Sequence, residues 1–118
     1  MKTLVIGATT NKERYAYKAI QSLIEHNHQV VAIGNKQGMV VDVLIVTEKI
    51  PFNAIDTVTL YINSKVQEDY YDYIIALKPR RVIFNPGTEN TTFYELLEKK
   101  SINFEVACTL VLLATNQY

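Results

Sequence analysis

The sequence contains little of what marks several large classes of protein. It has one cysteine, Cys108, which excludes an intramolecular disulfide and a zinc site built from cysteines. Its 12 basic and 12 acidic residues cancel, so no excess of positive charge is available for nucleic acid or an anionic membrane surface. No apolar run approaches the roughly 20 residues of a membrane span, and no secretion signal is visible. We therefore expect a cytoplasmic protein with a small-molecule partner, no nucleic acid and no membrane association.

What the sequence does contain is typical of one folded α/β domain over residues 1–118. Hydrophobic residues make up 48% of the chain, enough for a core without disulfides or metals. Apolar β-branched runs predict five strands, at 2–6, 29–33, 57–61, 80–84 and 101–106. Helical spacing predicts helices at 15–26, 64–77, 91–100 and 107–114. This alternation favours a doubly wound parallel sheet, and we predict the strand order 3-2-1-4-5 with a short edge ribbon within 37–56.

Residues at several helix ends give more local predictions. Ser64 followed by Gln67 has the spacing of a capping box at the start of the second helix. Asn90 is a suitable cap for the third helix, and Asn27 is a suitable left-handed residue after the first. The predicted strand order places the ligand crevice between the loops that follow strands one and four.

The loops at the carboxyl ends of four predicted strands are the candidate site. They are Gly7-Ala8-Thr9-Thr10, Gly34-Asn35-Lys36, Ile62-Asn63 and Asn85-Pro86-Gly87, with no carboxylate before Glu89. A glycine at the end of a buried strand allows a ligand to approach the backbone, and the following helix N-terminus attracts phosphate. The alternative is an ordinary strand-to-helix turn, since one glycine is a weaker signal than the full dinucleotide fingerprint.

Two cations in this region indicate an anionic ligand. Lys36 stands at the end of the second strand, where unphosphorylated dinucleotides are usually held by Asp or Glu. A cation there favours a phosphorylated ribose, as in the phosphorylated nicotinamide dinucleotide or coenzyme A, although a solvated surface lysine is the plain alternative. Arg14, placed in the first turn of the first helix, is able to grip a pyrophosphate, with Glu13 as a competing local partner.

Other classes of site fail on position. A response-regulator receiver needs acidic residues where this chain has Gly7 and Asn63. The sequence shows no nucleophile elbow, Walker loop or metal-ligand pair. His26 and His28 fall at the edge opposite the ligand loops, so we expect surface roles for them.

The ordered series of motifs resembles one known family, the small stand-alone CoA-binding proteins, which are similar to the CoA-binding domain of the succinyl-CoA synthetase α subunit. The motifs are Val5-Ile6-Gly7-Ala8-Thr9-Thr10-Asn11-Lys12-Glu13-Arg14, Val30-Val31-Ala32-Ile33-Gly34-Asn35-Lys36, Ile50-Pro51, Asp56-Thr57-Val58 and Asn85-Pro86-Gly87. The chain departs from the usual family pattern at Lys36, often Pro, and at Asn85, often Gln.

The resemblance implies a Rossmann-like fold that binds coenzyme A or an acyl-CoA. It implies pyrophosphate contacts from Gly7, Ala8, Thr9 and Arg14, and a place for Lys36 near the phosphorylated ribose. Asn63 and Gly87 would border the crevice. The candidate cofactor-binding residues are Gly7, Ala8, Thr9, Thr10, Asn11, Arg14, Gly34, Asn35, Lys36, Ile62, Asn63, Asn85, Pro86 and Gly87.

Three functions remain open at this point. The first is a CoA or acyl-CoA binding module with no catalytic residues and no metal. The others are a fragment of an oxidoreductase that uses the phosphorylated nicotinamide dinucleotide, and an interaction protein that has lost its ligand. Cys108, placed at the start of the terminal helix, is either a packed structural residue or a thiol that forms a mixed disulfide with CoA.

Overall fold

Seven strands form one sheet in the computed structural model, which describes residues 1–118. The strands are β1 (Lys2–Ala8), β2 (Gln29–Gly34), β3 (Gly38–Val40), β4 (Val43–Val46), β5 (Ile55–Leu60), β6 (Arg81–Phe84) and β7 (Asn103–Val106). The helices are α1 (Tyr15–Glu25), α2 (Ser64–Gln67), α3 (Tyr71–Leu77), α4 (Thr91–Lys99) and α5 (Thr109–Ala114). All strand pairs are parallel except the β3–β4 hairpin. The α/β, mostly parallel Rossmann-like fold is therefore confirmed. The predicted edge ribbon forms β3 and β4, which together with the five predicted strands make seven.

Helices cover both faces of the sheet, which explains why β1 is apolar along most of its length. On one face, Val5 of β1 packs in a cluster with Ile20 of α1 and Leu113 of α5. On the other face, Leu4 belongs to a cluster with residues of α3 and α4, including Phe93. No helix of either layer is long and apolar enough to cross a bilayer.

The predicted strand order is wrong at one point. The observed order is β3-β4-β2-β1-β5-β6-β7, so the third predicted strand, β5, pairs with β1 and not with β2. The place beside β2 is taken by β4, where Ala32 is paired with Ile45. Because the edge ribbon extends the sheet on that side, the chain crosses back and continues on the other side of β1. The reversal therefore lies between β1 and β5, and the crevice expected at such a reversal moves there from the loops of β1 and β6.

The helix predicted at 64–77 begins and continues differently. Its N-cap is Asn63, whose Oδ1 accepts a hydrogen bond from the N–H of Val66 at 2.9 Å, so the proposed capping box at Ser64 is wrong. The helix is interrupted by a 3₁₀ turn at Glu68–Tyr70 between α2 and α3. It then ends at Leu77, before a left-handed Lys78 and Pro79.

The other local predictions hold. Asn90 caps α4 through a hydrogen bond from the N–H of Phe93 to its Oδ1 at 3.1 Å. Asn27 adopts a positive φ of 66° after α1. Both residue types favour these conformations for local reasons, so tertiary packing did not need to be known.

Candidate ligand-binding cleft

A cleft of about 760 Å³ lies at the carboxyl ends of β1, β2, β5 and β6. Its size is within the range of natural small-molecule sites. It is lined by Gly7, Ala8, Thr9, Thr10, Arg14, Tyr15, Ala16, Gly34, Asn35, Lys36, Tyr61, Ile62, Asn63, Val66, Tyr70, Pro86, Gly87 and Thr88. The four predicted loops thus meet around one concavity, as parallel strands require.

The start of α1 faces this cleft without a cap. Arg14 precedes the first helical residue with extended backbone angles, and its side chain caps no N–H group. The helix begins at Tyr15, as predicted, so Arg14 lies at its N-cap position and not within its first turn. The first three N–H groups of α1 have no acceptor within the protein, and the first turn contains no acidic residue. The positive end of the helix dipole is therefore left for an anion.

The loop before α1 is ordered by its own side chains. The N–H of Asn11 donates to Thr9 Oγ1 at 3.1 Å, and the N–H of Glu13 donates to Asn11 Oδ1 at 3.0 Å. The N–H of Arg14 donates to the carbonyl of Asn11 at 3.1 Å. Asn11 is thus a turn residue behind the cleft wall, and its side-chain oxygen is already engaged.

Both cations of the cleft are free of carboxylate partners. The ion pairs of the protein join Lys65 to Glu68, Arg80 to Asp56 and Arg81 to Glu105. Neither Arg14 nor Lys36 takes part in any of them, so the local pairing of Arg14 with Glu13 does not form. No Asp or Glu lines the cleft. The site therefore has a net positive charge in a protein whose total charge is zero.

Glycine is required at position 7, near the end of β1, for a reason other than the ligand approach that the sequence suggested. A Cβ at Gly7 would lie 2.7 Å from the carbonyl oxygen of Tyr61, and its φ is +96°. A Cβ at Gly34 would lie 2.2 Å from the carbonyl oxygen of Ala8. These two glycines allow neighbouring strand ends to approach one another, and the approach of a ligand is not what requires them.

Gly87 is the glycine with open space above it. Its φ is +92°, and a Cβ there would have no neighbour within 4 Å. Its N–H donates to Glu89 Oε1 at 3.0 Å, so this N–H is not free for a ligand. Gly87 therefore contributes open space to the cleft and no hydrogen-bond donor.

All of the predicted site residues except Asn11 and Asn85 line the cleft. Asn85 is buried beneath it, and its Nδ2 donates to Thr59 Oγ1 at 2.7 Å and to the carbonyl of Leu60 at 2.9 Å. Its Oδ1 accepts from the N–H of Thr109 at 2.8 Å. The side chain of Asn85 connects β5, β6 and the start of α5, which leaves it little capacity for a ligand.

Sequence reasoning missed six lining residues: Tyr15, Ala16, Tyr61, Val66, Tyr70 and Thr88. Tyr15 and Ala16 directly follow Arg14, so the assignment of a phosphate site at the helix start could have included them. Tyr70 lies in the 3₁₀ turn, where it packs against the core and also lines the cleft. Burial raises the pKa of both Tyr61 and Tyr70, so their phenols stay protonated at neutral pH.

Cys108 lies outside the cleft lining. It is partly exposed and occupies the N-cap position of α5 without a capping hydrogen bond. A mixed disulfide with CoA therefore stays a prediction, and it requires a ligand arm that leaves the cleft toward α5. No three His, Cys, Asp or Glu side chains lie close enough to hold a metal ion together.

Comparison with known proteins decides the family. A family model described as the CoA binding domain matches residues 1–114. The chain belongs to the CoA binding domain family. The match covers all seven strands and all five helices, so the whole fold described above is that of the family. The resemblance seen in the sequence motifs is confirmed.

Solved structures give a consistent picture of this CoA binding domain. A crystal structure of an uncharacterized protein is 45% identical, with 99% of this chain and 97% of that chain covered and a TM-score of 0.96. A protein from Thermus thermophilus is 17% identical with a TM-score of 0.86, covering 99% of this chain and 90% of that one. A hypothetical protein from Pyrococcus horikoshii OT3 is 23% identical with a TM-score of 0.79, over 90% of this chain and 75% of that one. The last two likenesses concern the fold alone, and a search of curated proteins gave no match.

Proposed function

We propose that the protein binds coenzyme A or an acyl-CoA in the cleft at the carboxyl edge of the sheet, as a binding module without catalytic groups of its own. The observation that carries the proposal is the uncapped start of α1 beside two cations that have no carboxylate partner. Membership of the CoA binding domain family supports the choice of ligand.

The pyrophosphate fits the start of α1. Free N–H groups and the helix dipole supply hydrogen bonds and positive potential without the cost of moving a side chain. The Arg14 guanidinium, next to these N–H groups, is suited to bidentate contact with phosphate oxygens. The hydroxyls of Thr9 and Thr10 add further donors at the same loop.

Lys36 is suited to the phosphate on the ribose. It follows β2, and β2 lies beside β1 in the sheet, so Lys36 is one strand away from the α1 site. An ammonium at this position favours an extra phosphate over a free hydroxyl. The phosphorylated nicotinamide dinucleotide shares this feature and is the competing ligand.

The opposite end of the cleft is suited to the uncharged arm of CoA. Strand order places the loops of β2 and β6 three interstrand spacings apart, about 14 Å. The β5 and β6 side contributes Ile62, Val66, Tyr70 and Pro86, whose surfaces are largely apolar. A ligand with phosphates at one end and an amide and thiol arm at the other matches this change of character along the cleft.

A binding role is favoured over catalysis by the side chains of the cleft. They include no carboxylate, imidazole or thiol, and the raised pKa of Tyr61 and Tyr70 removes their phenols as bases at neutral pH. The arrangement holds and orients a ligand but offers no group that takes a proton at neutral pH.

Calorimetric titration of the purified protein tests this proposal. We expect saturable binding of CoA, and weaker or no binding of the phosphorylated and unphosphorylated nicotinamide dinucleotides. Tighter binding of the phosphorylated dinucleotide than of CoA would favour the oxidoreductase alternative. Binding of none of the three would leave an interaction protein that keeps the fold without the ligand.

A further inference from the structure

A glutamine behind the cleft connects two of the loops that form it. Gln67, at the end of α2, has none of its surface exposed and does not line the cleft. Its Nε2 donates to the carbonyl of Ile62 at 2.9 Å and to the carbonyl of Thr88 at 2.7 Å. Ile62 belongs to the loop after β5, Thr88 belongs to the loop after β6, and both residues line the cleft.

The orientation of the Gln67 amide is determined by a second buried amide. Gln67 Oε1 accepts a hydrogen bond from Asn90 Nδ2 at 2.9 Å, and Asn90 Nδ2 also lies 2.8 Å from the hydroxyl of Tyr71. Because Asn90 Oδ1 caps α4, the Asn90 amide cannot be flipped without losing the cap. Gln67 therefore presents its NH₂ group to the two loops and not its carbonyl.

Burial of the Gln67 amide lowers stability relative to an apolar side chain unless its hydrogen bonds to the two loops are needed. A buried primary amide must satisfy every polar atom, and an apolar side chain of the same volume avoids that requirement. With an apolar residue at position 67, however, the carbonyls of Ile62 and Thr88 would lose a buried donor. Asn85 joins the ends of β5 and β6 below the cleft, and Gln67 joins the two loops beyond those strand ends, at Ile62 and Thr88.

We propose that Gln67 is a positioning residue for the ligand: it sets the separation of the β5 and β6 loops and so the affinity for the uncharged arm of CoA. This inference rests on the proposed function. The phosphate end of the cleft is built by β1, β2 and α1, and the hydrogen bonds of the Gln67 side chain go to Ile62, Thr88 and Asn90 and not to those elements. The effect of Gln67 is therefore confined to the part of the ligand without phosphate.

The test compares Gln67→Met with Asn90→Ser and uses two ligands. Methionine has nearly the volume of glutamine but no donor. Serine at position 90 retains an N-cap oxygen but removes the hydrogen bonds that Asn90 Nδ2 donates to Gln67 Oε1 and to the Tyr71 hydroxyl. CoA and adenosine 3′,5′-bisphosphate, which lacks the uncharged arm, are titrated by calorimetry well below the melting temperature of each variant.

We expect Gln67→Met to weaken CoA about tenfold and to change binding of the bisphosphate by no more than about twofold. Asn90→Ser lowers the melting temperature but leaves CoA affinity within about threefold of the parent, because the two loop contacts remain. If Gln67→Met does not fold, Gln67→Asn replaces it, since that amide is one methylene too short to reach both carbonyls.

The outcomes separate the two proposals. Absence of CoA binding by the unaltered protein contradicts the proposed function, whatever position 67 does. If the unaltered protein binds CoA and the Gln67 variants bind it equally well, Gln67 has a purely structural role and the inference is wrong. Equal losses for CoA and the bisphosphate, or equal losses in the Asn90 and Gln67 variants, also contradict it.

Discussion

Two arginines at opposite ends of the parallel strands have very different surroundings. Arg81 begins β6, and its side chain is only 6% exposed. Its Nη1 lies 2.9 Å from Glu105 Oε2, its Nε donates to Thr57 Oγ1, and its Cζ lies 4.4 Å from the ring centre of Tyr118. Arg14, at the carboxyl end, is exposed and has no ion pair.

This difference separates structural cations from cations available to a ligand. At the amino ends, Arg81 is paired with Glu105, and Arg80 is paired with Asp56, whose pKa is lowered by these hydrogen bonds. At the carboxyl ends the positive charges of Arg14 and Lys36 add to the dipole of α1 and remain uncompensated. These arginines and Lys36 thus differ in whether their charge is paired within the protein, and the unpaired charges lie at the edge of the candidate cleft.

The largest expected effect comes from making the same substitution at both arginines. Arg81→Met is expected to lower the free energy of unfolding by about 2 to 3 kcal/mol, near the low end for a buried pair because Glu105 keeps partial hydration. Arg14→Met is expected to change it by no more than about 0.5 kcal/mol but to weaken CoA severalfold. Urea unfolding and calorimetry measure the two quantities. A loss of stability in Arg14→Met, or a loss of CoA affinity in Arg81→Met, would contradict the distinction between structural and ligand-facing cations.

Lys36→Ala tests whether Lys36 contacts the ribose phosphate of CoA. A charge-assisted hydrogen bond is worth about 1.5 to 3 kcal/mol, so CoA is expected to bind about tenfold or more weakly. Dephospho-CoA, which lacks the ribose phosphate, is the matched control and is expected to bind about equally to both proteins. Similar losses for the two ligands would exclude contact between Lys36 and that phosphate.

Gly38→Ala tests how the two phosphate-side loops are held together. A Cβ at Gly38 would lie 2.4 Å from Thr10 Cγ2, so either the Thr10 side chain rotates or the first loop separates from the turn that carries Lys36. We expect a loss of about 1 kcal/mol in stability and a weaker affinity for CoA. Thr10→Ser removes the obstructing methyl group, so the double variant recovers both. Calorimetry and thermal unfolding of the two single variants and the double variant measure the coupling, and an unrecovered double variant would contradict this contact.

The smallest effect concerns His28, at the amino end of the sheet. Its ring packs against the Tyr118 ring at an angle of 58°, with centroids 4.8 Å apart, and burial is the main cause that lowers its pKa from 6.5. The unfolded chain therefore binds more protons as pH falls below about 6.5, and the folded state loses stability over that interval. Between pH 8 and pH 5, the melting temperature is expected to fall less steeply for His28→Gln than for the parent. CoA affinity is the control measurement, and we expect it to stay unchanged because the proposed site lies at the other edge of the sheet.

Much of the site could be predicted because its signals are local. The apolar run of β1, the glycine at its end and the following helix specify a strand, a loop and an anion-binding helix start within about 15 residues. The cap at Asn90 and the left-handed Asn27 depend only on short-range hydrogen bonding and sterics. For the same reason, the loops that meet around the cleft were identified from their own residues.

The remainder depended on contacts between distant segments. The apolar run of β4 is compatible with several neighbours, and only packing placed it beside β2 and so moved the crevice to β1 and β5. Likewise, nothing local to Asn85 or Gln67 shows that one amide lies under the cleft and the other joins two of its loops. Their partners are five to 26 residues away in the chain. The sequence by itself thus determined the strands, most helix ends and the chemistry of the loops. Tertiary structure decided the strand order and which polar groups remain free. Strand order and free polar groups both depend on which distant residues are brought into contact.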